Sequence, residues 1–240
     1  MAGHSKWSTI KRKKGANDAK KSKLFSKLVR EITVAVNLGG ADPTFNSRLR
    51  LAVQNAKEVN MSKEAITRAI SKGEKGEATA YVEVTYEGYG PHGMAIIVTC
   101  MTDKITRTVA NVRAAFSKYG GSLEKNGAVT FLFDRKGVFT IPTKIVRDQE
   151  TLILSLIDAG AEEIEQESEE LHIICPVTAF DHIQKELEKL GLIPTATSLP
   201  YIPRTQIMLP EEAFIKGMQL VDTLEDDEDL QQVYHNALLT

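Results

Sequence analysis

The chain has 240 residues, 42% of them hydrophobic and 26% charged, with a formal net charge of −2. This ordinary composition suffices for two or three domains with buried cores. The longest apolar run, residues 93–101, is far too short to span a bilayer. No secretory signal follows Met1, so we expect a cytoplasmic protein with no membrane partner.

The number and spacing of the cysteines and histidines do not indicate a disulfide-bonded or metal-binding protein. Cys100 and Cys175 both lie in apolar, strand-like runs, and no C-x-x-C motif exists. Neither a disulfide framework nor a thiolate zinc site is indicated, and both thiols are interpreted as small buried side chains. The five histidines are too widely scattered to form a metal site, so no metal or cofactor is predicted.

The charge is divided unevenly along the chain. Residues 1–75 contain 17 Lys and Arg against 6 Asp and Glu, a net charge of +11, whereas residues 76–240 contain 13 against 26, a net charge of −13. Such asymmetry indicates a polyanionic partner for the basic part. The alternative is internal: the basic arm docks onto the acidic body.

The basic part begins with an arm, residues 1–16, that has no helical apolar stripe. Trp7, the only tryptophan of the chain, either stacks on a nucleic-acid base or packs the arm against the helices that follow. The cations of the arm are Lys6, Lys11, Arg12, Lys13 and Lys14.

A long amphipathic helix is predicted over residues 17–38, ending at Gly39 and Gly40. Its apolar face is formed, at helical spacing, by Leu24, Phe25, Leu28, Val29, Ile32 and Val36. At about 100° per residue, four cations gather on the opposite face. They form a basic ridge of Lys20, Lys23, Lys27 and Arg30.

Two shorter helices complete a small bundle. Asp42 is the predicted N-cap of the second helix, with Pro43 at its first position and Phe45 on its buried face. Ser62 is the predicted N-cap of the third helix, which ends at Gly73. The outer face of the third helix shows Lys63, Arg68 and Lys72.

The pattern then changes to α/β. Strands are predicted over residues 81–87, 94–102 and 128–135, with a helix over residues 103–121. The sequence GYGPHG, residues 88–93, matches G-x-G-x-x-G, but a strand follows it where a dinucleotide site needs a helix. A hairpin turn is therefore predicted there.

The remaining chain predicts the domain organisation. From residue 137 the pattern reads βαββαβ, the ferredoxin-like order, complete in about 65 residues, which indicates an inserted domain. The last predicted strands and helix are expected to return to the preceding sheet. The prediction is an α+β fold of three domains: a basic helical domain with the arm, residues 1–77; a middle α/β domain, residues 78–135 plus 203–240; and an inserted ferredoxin-like domain, residues 136–202.

Five consecutive acids, residues 225–229, form an acidic run near the end of the chain. It is interpreted as a solvated loop, the usual meaning of such a run, with an internal mask for the basic arm as the second interpretation. No Walker-type loop, G-x-S-x-G elbow or H-E-x-x-H pair is present, so neither an enzyme nor a small-molecule substrate is predicted.

Several stretches resemble the YebC family. They are MAGHSKWSTIKRKKGANDAKKSKLFSKLVREI at the start, LGGADP, YEGYGPHG, TDKITRTVANVRAAFSKYGG and VTFLFDRKGV. The resemblance implies one helical and two α/β domains, with no cofactor or catalytic activity. It also implies a regulatory role, since some members are described as DNA-binding transcription regulators and others as ribosome-associated factors, including a mitochondrial branch of translational activators.

The interpretation that unites these features is a non-catalytic nucleic-acid-binding factor, a DNA-binding transcriptional regulator of the YebC type. Phosphate contacts position a protein without reading sequence, and no helix with Arg, Asn or Gln at base-reading spacing is visible. The candidate nucleic-acid-binding residues are Lys6, Trp7, Lys11, Arg12, Lys13, Lys14, Lys20, Lys21, Lys23, Lys27, Arg30, Arg107 and Arg113.

Two alternatives stay open. A translation factor that binds rRNA or the ribosome would use the same electrostatics, so charge alone does not separate it from a DNA-binding protein. A protein–protein adaptor, whose basic arm docks on an acidic partner, would bind nucleic acid weakly. On phosphate, the acidic domains are expected to project outward, toward a protein partner, or to fix the direction from which the arm approaches.

Overall fold

The computed structural model describes residues 18–76 and 81–240. Within them the predicted fold class is confirmed: a helical bundle is followed by two domains of mixed helix and sheet. The bundle contains α1 (Asp18–Gly39), α2 (Ser47–Glu58) and α3 (Lys63–Glu74). Each helix has one apolar face, and these faces meet in a core that includes Ile32, Val36, Leu49, Ala56 and Ile66.

The start of α2 differs from the prediction. Asn46, not Asp42, is the N-cap, and its side chain accepts a hydrogen bond from the Leu49 N–H at 3.0 Å. Asp42 instead closes the preceding turn by accepting from the Thr44 N–H at 2.8 Å. Because the helix begins later, Phe45 lies outside it and is 86% exposed rather than inward.

Residues 81–240 form eleven strands and four further α-helices. The first elements are β1 (Val82–Tyr89), β2 (Ala95–Thr102), α4 (Ile105–Lys118) and β3 (Ser122–Leu123). The central elements are β4 (Phe133–Pro142), α5 (Gln149–Asp158), β5 (Glu163–Glu167), β6 (Glu170–Pro176), α6 (Phe180–Lys189), β7 (Ala196–Ser198) and β8 (Tyr201–Pro203). The last elements are β9 (Ile207–Leu209), α7 (Glu211–Glu225), β10 (Leu230–His235) and β11 (Ala237–Leu239).

The middle sheet has the strand order β10-β2-β1-β3. The expected return of the chain is observed for β10, which pairs antiparallel with β2, whereas β9 pairs in parallel with β11 in a separate two-stranded sheet. The hairpin predicted at residues 88–93 is also present, since β1 and β2 pair antiparallel across a short turn, Pro91–Gly93. Helices α4 and α7 cover one face of this sheet around Phe116 and Leu220.

The third domain has the sheet order β5-β6-β4-β7, which with its βαββαβ chain order is the ferredoxin-like arrangement. One detail of the prediction is wrong: the strands expected over residues 128–135 and from residue 137 are a single strand, β4, preceded by a short turn. Gly137 does not interrupt β4 but permits close packing, because a Cβ there would lie 2.7 Å from the Phe180 ring and 2.8 Å from Cys175 Sγ.

The bundle contacts both other domains. Val34 of α1 packs on Met101 at the end of β2. Gln54 of α2 donates to Thr197 Oγ1 of β7 at 3.1 Å. These contacts place α1 beside the loop between α7 and β10, which carries the acidic run. No helix within the described residues is long and apolar enough to cross a membrane.

Candidate nucleic-acid interface

The structure locates only some of the candidate residues. The arm residues Lys6, Trp7, Lys11, Arg12, Lys13 and Lys14 lie outside the described residues, as do the side chains of Lys20 and Lys21. The candidates that the structure does place are Lys23, Lys27, Arg30, Arg107 and Arg113.

The described part of the basic ridge faces the acidic run. Lys23 Nζ lies 2.8 Å from Asp226 Oδ1 and also donates to the Asp226 carbonyl at 3.2 Å. One turn further along α1, Lys27 Nζ donates to the Glu225 carbonyl at 3.4 Å. Burial lowers the pKa of Lys27, and nearby Lys23 lowers it further, against the opposing effect of Glu225. The acidic run therefore contacts the basic ridge within the molecule, whereas the arm, to which the internal alternative refers, lies outside the described residues.

Arg30 is more enclosed than Lys23, with side chains 17% and 40% exposed respectively. Its Nη1 donates to the Glu228 carbonyl at 2.6 Å and lies 3.4 Å from Asp229 Oδ1. The guanidinium also lies over the Tyr81 ring, 5.2 Å from the ring centroid. The fixed position of Arg30 thus depends on both the acidic run and the strand beside it.

Asp229 is the fixed point of the acidic run. Its carboxylate, which belongs to a residue only 3% exposed, accepts hydrogen bonds from Thr102 at 3.0 Å, Thr108 at 2.9 Å and Arg107 at 2.6 Å. Burial opposes the ionised form, but these hydrogen bonds outweigh it and lower the pKa of Asp229. Asp229 therefore lies buried as a carboxylate within a ring of donors.

The interpretation of the acidic run as a solvated loop is wrong for part of it. The Asp227 carboxylate accepts from Asn111 Nδ2 at 2.8 Å and from the Asp229 backbone N–H at 2.8 Å. Asp227 and Asp229 are thus directed at the middle domain, while Asp226 is directed at α1. The physical reason is that cations and hydroxyls from distant segments surround the run, so these acids gain partners other than water.

The two candidates on α4 differ in their contacts with the acidic run. Arg107 forms ion pairs with Asp229 at 2.6 Å and with Asp103 at 2.8 Å, and its pKa is raised by both hydrogen bonds. Arg113 lies on the exposed surface of the same helix. The structure therefore separates the two: Arg107 holds the acidic run, and Arg113 faces solvent.

The other cations of the bundle also fall into two groups, those that pair with acids and those that are exposed to solvent. Arg48 forms ion pairs with Glu31 and Glu83, and Arg50 lies 3.9 Å from Glu188. By contrast, α3 and the turn after it present a row of exposed cations at Lys63, Arg68, Lys72 and Lys75. The outer face predicted for the third helix is therefore the basic surface of the bundle that stays open to solvent.

Sequence reasoning missed the groups that organise this site. Thr102, Thr108 and Asn111 position the acidic run, yet they lie more than 100 residues before it, and no local pattern links them to it. The charge division along the chain was the one available signal. Within the described residues, no group of three or more His, Cys, Asp or Glu side chains could hold a metal ion.

Comparison with known proteins identifies the family. Residues 5–76 match the TACO1/YebC protein N-terminal domain, and residues 81–237 match the TACO1/YebC second and third domain. A "Probable transcriptional regulatory protein" of Amoebophilus asiaticus is 58% identical over 238 residues, covering 98% of both chains. One of a Geobacillus species is 48% identical, covering 98% of this chain and 97% of its own.

A solved structure agrees with these matches. The crystal structure of the conserved hypothetical protein Aq1575 from Aquifex aeolicus superposes with a TM-score of 0.84 at 41% identity, covering 98% of both chains. The sequence and structural matches extend over nearly the whole chain. The chain therefore belongs to the TACO1/YebC family.

Proposed function

We propose that this chain is a non-catalytic nucleic-acid-binding regulator that binds the phosphate backbone through its basic first third, as a DNA-binding transcriptional regulator. The observation that carries the proposal is the division of charge, +11 over residues 1–75 and −13 over residues 76–240. A basic segment of this strength attracts a polyanion, while the acidic remainder is repelled by it. The relatives named as transcriptional regulators support a regulatory role.

We propose an order in which the basic residues meet the phosphate backbone. The arm cations Lys11, Arg12, Lys13 and Lys14 remain the leading candidates. The exposed face of α3 and the exposed Arg113 can extend their footprint without any rearrangement. Lys27, Arg30 and Arg107 can take a phosphate only after changing partners, because each now contacts the acidic run.

A ribosome- or RNA-associated translation factor is the second candidate. One observation favours it: the sequence shows no helix with Arg, Asn or Gln at the spacing that reading base edges in duplex DNA would need. Both candidates share the phosphate chemistry, so the experiment must compare the two nucleic acids directly.

The test is fluorescence anisotropy with a labelled mixed-sequence DNA duplex and a labelled single-stranded RNA. The variant K11E/K13E/K14E reverses three arm charges, and K125E/K144E/K185E reverses three exposed lysines of the acidic domains as its control. We expect the arm variant to lose at least about tenfold in affinity and the control to lose much less. Equal losses, or no binding by the wild type, would contradict the proposal.

Sedimentation of a native lysate through a sucrose gradient separates the two candidates. Migration with ribosomes that RNase or high salt abolishes would favour the translation factor and make the arm an rRNA-binding element. A protein that stays at the top of the gradient but binds duplex DNA would support the transcriptional regulator. A protein that binds neither nucleic acid would indicate the adaptor.

A further inference from the structure

We propose that the acidic run is an intramolecular competitor of nucleic acid, which occupies the basic ridge in the free protein and gives up part of it when phosphates bind. The inference rests on the proposed function and states how nucleic-acid binding at the same surface is regulated. Lys23, Lys27 and Arg30 are candidate phosphate ligands. The inference is carried by the contacts that these three cations make with residues 225–229.

The acidic run makes two kinds of contact: contacts with the middle domain that hold it in place, and a contact with the basic ridge that phosphate can replace. Asp227 and Asp229 are directed at the middle domain, where Asn111, Thr108 and other donors hold them. Asp226 projects the other way and pairs with Lys23. Asp229 anchors the run and also lies 3.4 Å from Arg30, whereas Asp226 is the carboxylate paired with Lys23. The Lys23–Asp226 contact can therefore open while Asp227 and Asp229 keep the loop in place.

The strength of the contacts falls toward the arm. Arg30 and Asp229 have side chains 17% and 4% exposed, whereas Lys23 and Asp226 are 40% and 75% exposed. An exposed ion pair contributes little stability and is screened by salt. Displacement therefore begins at Lys23, which is also the described ridge cation nearest in sequence to the arm.

The exchange is chemically matched. Lys23 Nζ now lies against one carboxylate oxygen of Asp226, at a distance typical of a charge-assisted hydrogen bond. A phosphate oxygen offers the same kind of acceptor with the same sign of charge. A nucleic acid held by the arm can thus replace Asp226 at Lys23 without leaving the ammonium group unpaired. The acidic run raises the threshold for binding and so disfavours weak, isolated anions.

The test measures the affinity of the full chain for the labelled DNA duplex and RNA used above. The variant E225Q/D226N/E228Q neutralises the replaceable part of the run and keeps Asp227 and Asp229. The matched control, E150Q/D158N/E169Q, removes three exposed acids of the third domain. At low salt we expect the run variant to bind about fivefold more tightly than the control variant, and the difference to shrink as salt rises.

A double-mutant cycle separates competition from plain repulsion of phosphate. If the run acts by occupying the ridge, its neutralisation gains little in a Lys23→Gln background, because the cation it would free is absent. The single variant D226N provides the same comparison with the smallest disturbance of the fold, checked by circular dichroism. A gain that is undiminished in the K23Q background would show that the run only repels phosphate, and would overturn the inference.

Each remaining outcome is also decisive. Equal affinities of the run variant and its control would overturn the inference while leaving the proposed function intact, because the wild type still binds. Absence of binding by the wild type and by every variant would remove the proposed function, and the inference with it. A gain confined to the run variant and dependent on Lys23 would support both.

Discussion

Lys23 and Asp226 form an ion pair of 2.8 Å between positions 203 residues apart in the sequence. The pair joins the first helix of the basic bundle to the loop that follows α7. Because this pair forms within the molecule, the net charge counted over residues 1–75 is larger than the charge that this segment presents to a partner. The basic ridge is partly neutralised within the molecule, whereas α3 and the turn after it carry exposed cations.

The first prediction concerns Asp229. Replacing Asp229 with Ala leaves the Thr102 and Thr108 hydroxyls without their shared acceptor and removes the carboxylate that lies beside Arg30. We therefore expect the free energy of unfolding to fall by about 2 to 4 kcal/mol. Urea denaturation followed by circular dichroism measures it. Asp226→Ala is the matched control and should change stability by less than about 1 kcal/mol, since its ion pair is exposed. Equal effects of the two substitutions would contradict the role of Asp229 as the anchor.

The second prediction is the response of stability to acid. Glu87 is only 4% exposed, and its carboxylate accepts from the N–H groups of Gly127, Val129 and Thr130 at 2.7 to 2.9 Å. Burial opposes its ionised form, but these bonds outweigh burial and lower the pKa of Glu87, as the donors around Asp229 do for that residue.

A carboxylate whose pKa is lower in the folded state stabilises the fold above its unfolded pKa, and this contribution is lost as the pH falls through the folded pKa. We therefore expect the free energy of unfolding to hold near neutral pH and to fall below about pH 4 to 5. In Glu87→Gln the fall should be shallower, starting from a lower stability at pH 7. An unchanged slope in urea melts taken across this range would show that Glu87 does not carry the dependence.

These contacts show which parts of the fold could be predicted from the sequence and which could not. The bundle, the hairpin at residues 88–93 and the ferredoxin-like order follow from hydrophobic periodicity and turn residues, which are local signals. The start of α2 at Asn46 was missed because both Asp42 and Asn46 are suitable caps, and tertiary bonds of the Asn46 amide decide between them. The individual partners of residues 225–229 could not be predicted, since they depend on how the bundle packs against the middle domain.

The third prediction tests the packing of the bundle that carries the ridge. A Cβ at Gly73 of α3 would lie 2.6 Å from Val36 Cβ and 2.8 Å from the Thr33 carbonyl oxygen of α1. Ala is favoured over Gly in a helix by about 1 kcal/mol, but overpacking typically costs about 1 to 3 kcal/mol. We expect Gly73→Ala to destabilise the protein by about 1 to 2 kcal/mol in urea. Thr67→Ala, at an exposed site on the same helix, should have an effect within about 0.5 kcal/mol; a stabilising Gly73→Ala would refute the close approach of α1 and α3.

The fourth prediction concerns the two thiols. Both cysteines are buried, and burial raises the pKa of Cys100 to about 12 and that of Cys175 to about 11. Since the thiolate is the reactive form, neither should react appreciably with Ellman's reagent in the native protein at pH 8. Both should react quickly in guanidinium chloride. Cys100→Ala and Cys175→Ala assign each signal, and fast reaction of either thiol in the folded protein would show that its site opens.

The last prediction uses salt to count the phosphate contacts of the arm. If about six cations neutralise phosphates, the logarithm of the affinity for duplex DNA should fall against the logarithm of salt concentration with a slope of roughly −5. Each arm lysine replaced by Gln should reduce the magnitude of this slope by about 0.9, so K11Q/K13Q/K14Q should reduce it by about 3. Affinity alone could fall because the arm folds differently, but only the loss of phosphate contacts changes the slope in proportion to their number. The control K125Q/K144Q/K185Q removes the same charge from the acidic domains and should leave the slope unchanged, so equal slopes in all three proteins would exclude the arm as the phosphate-binding element.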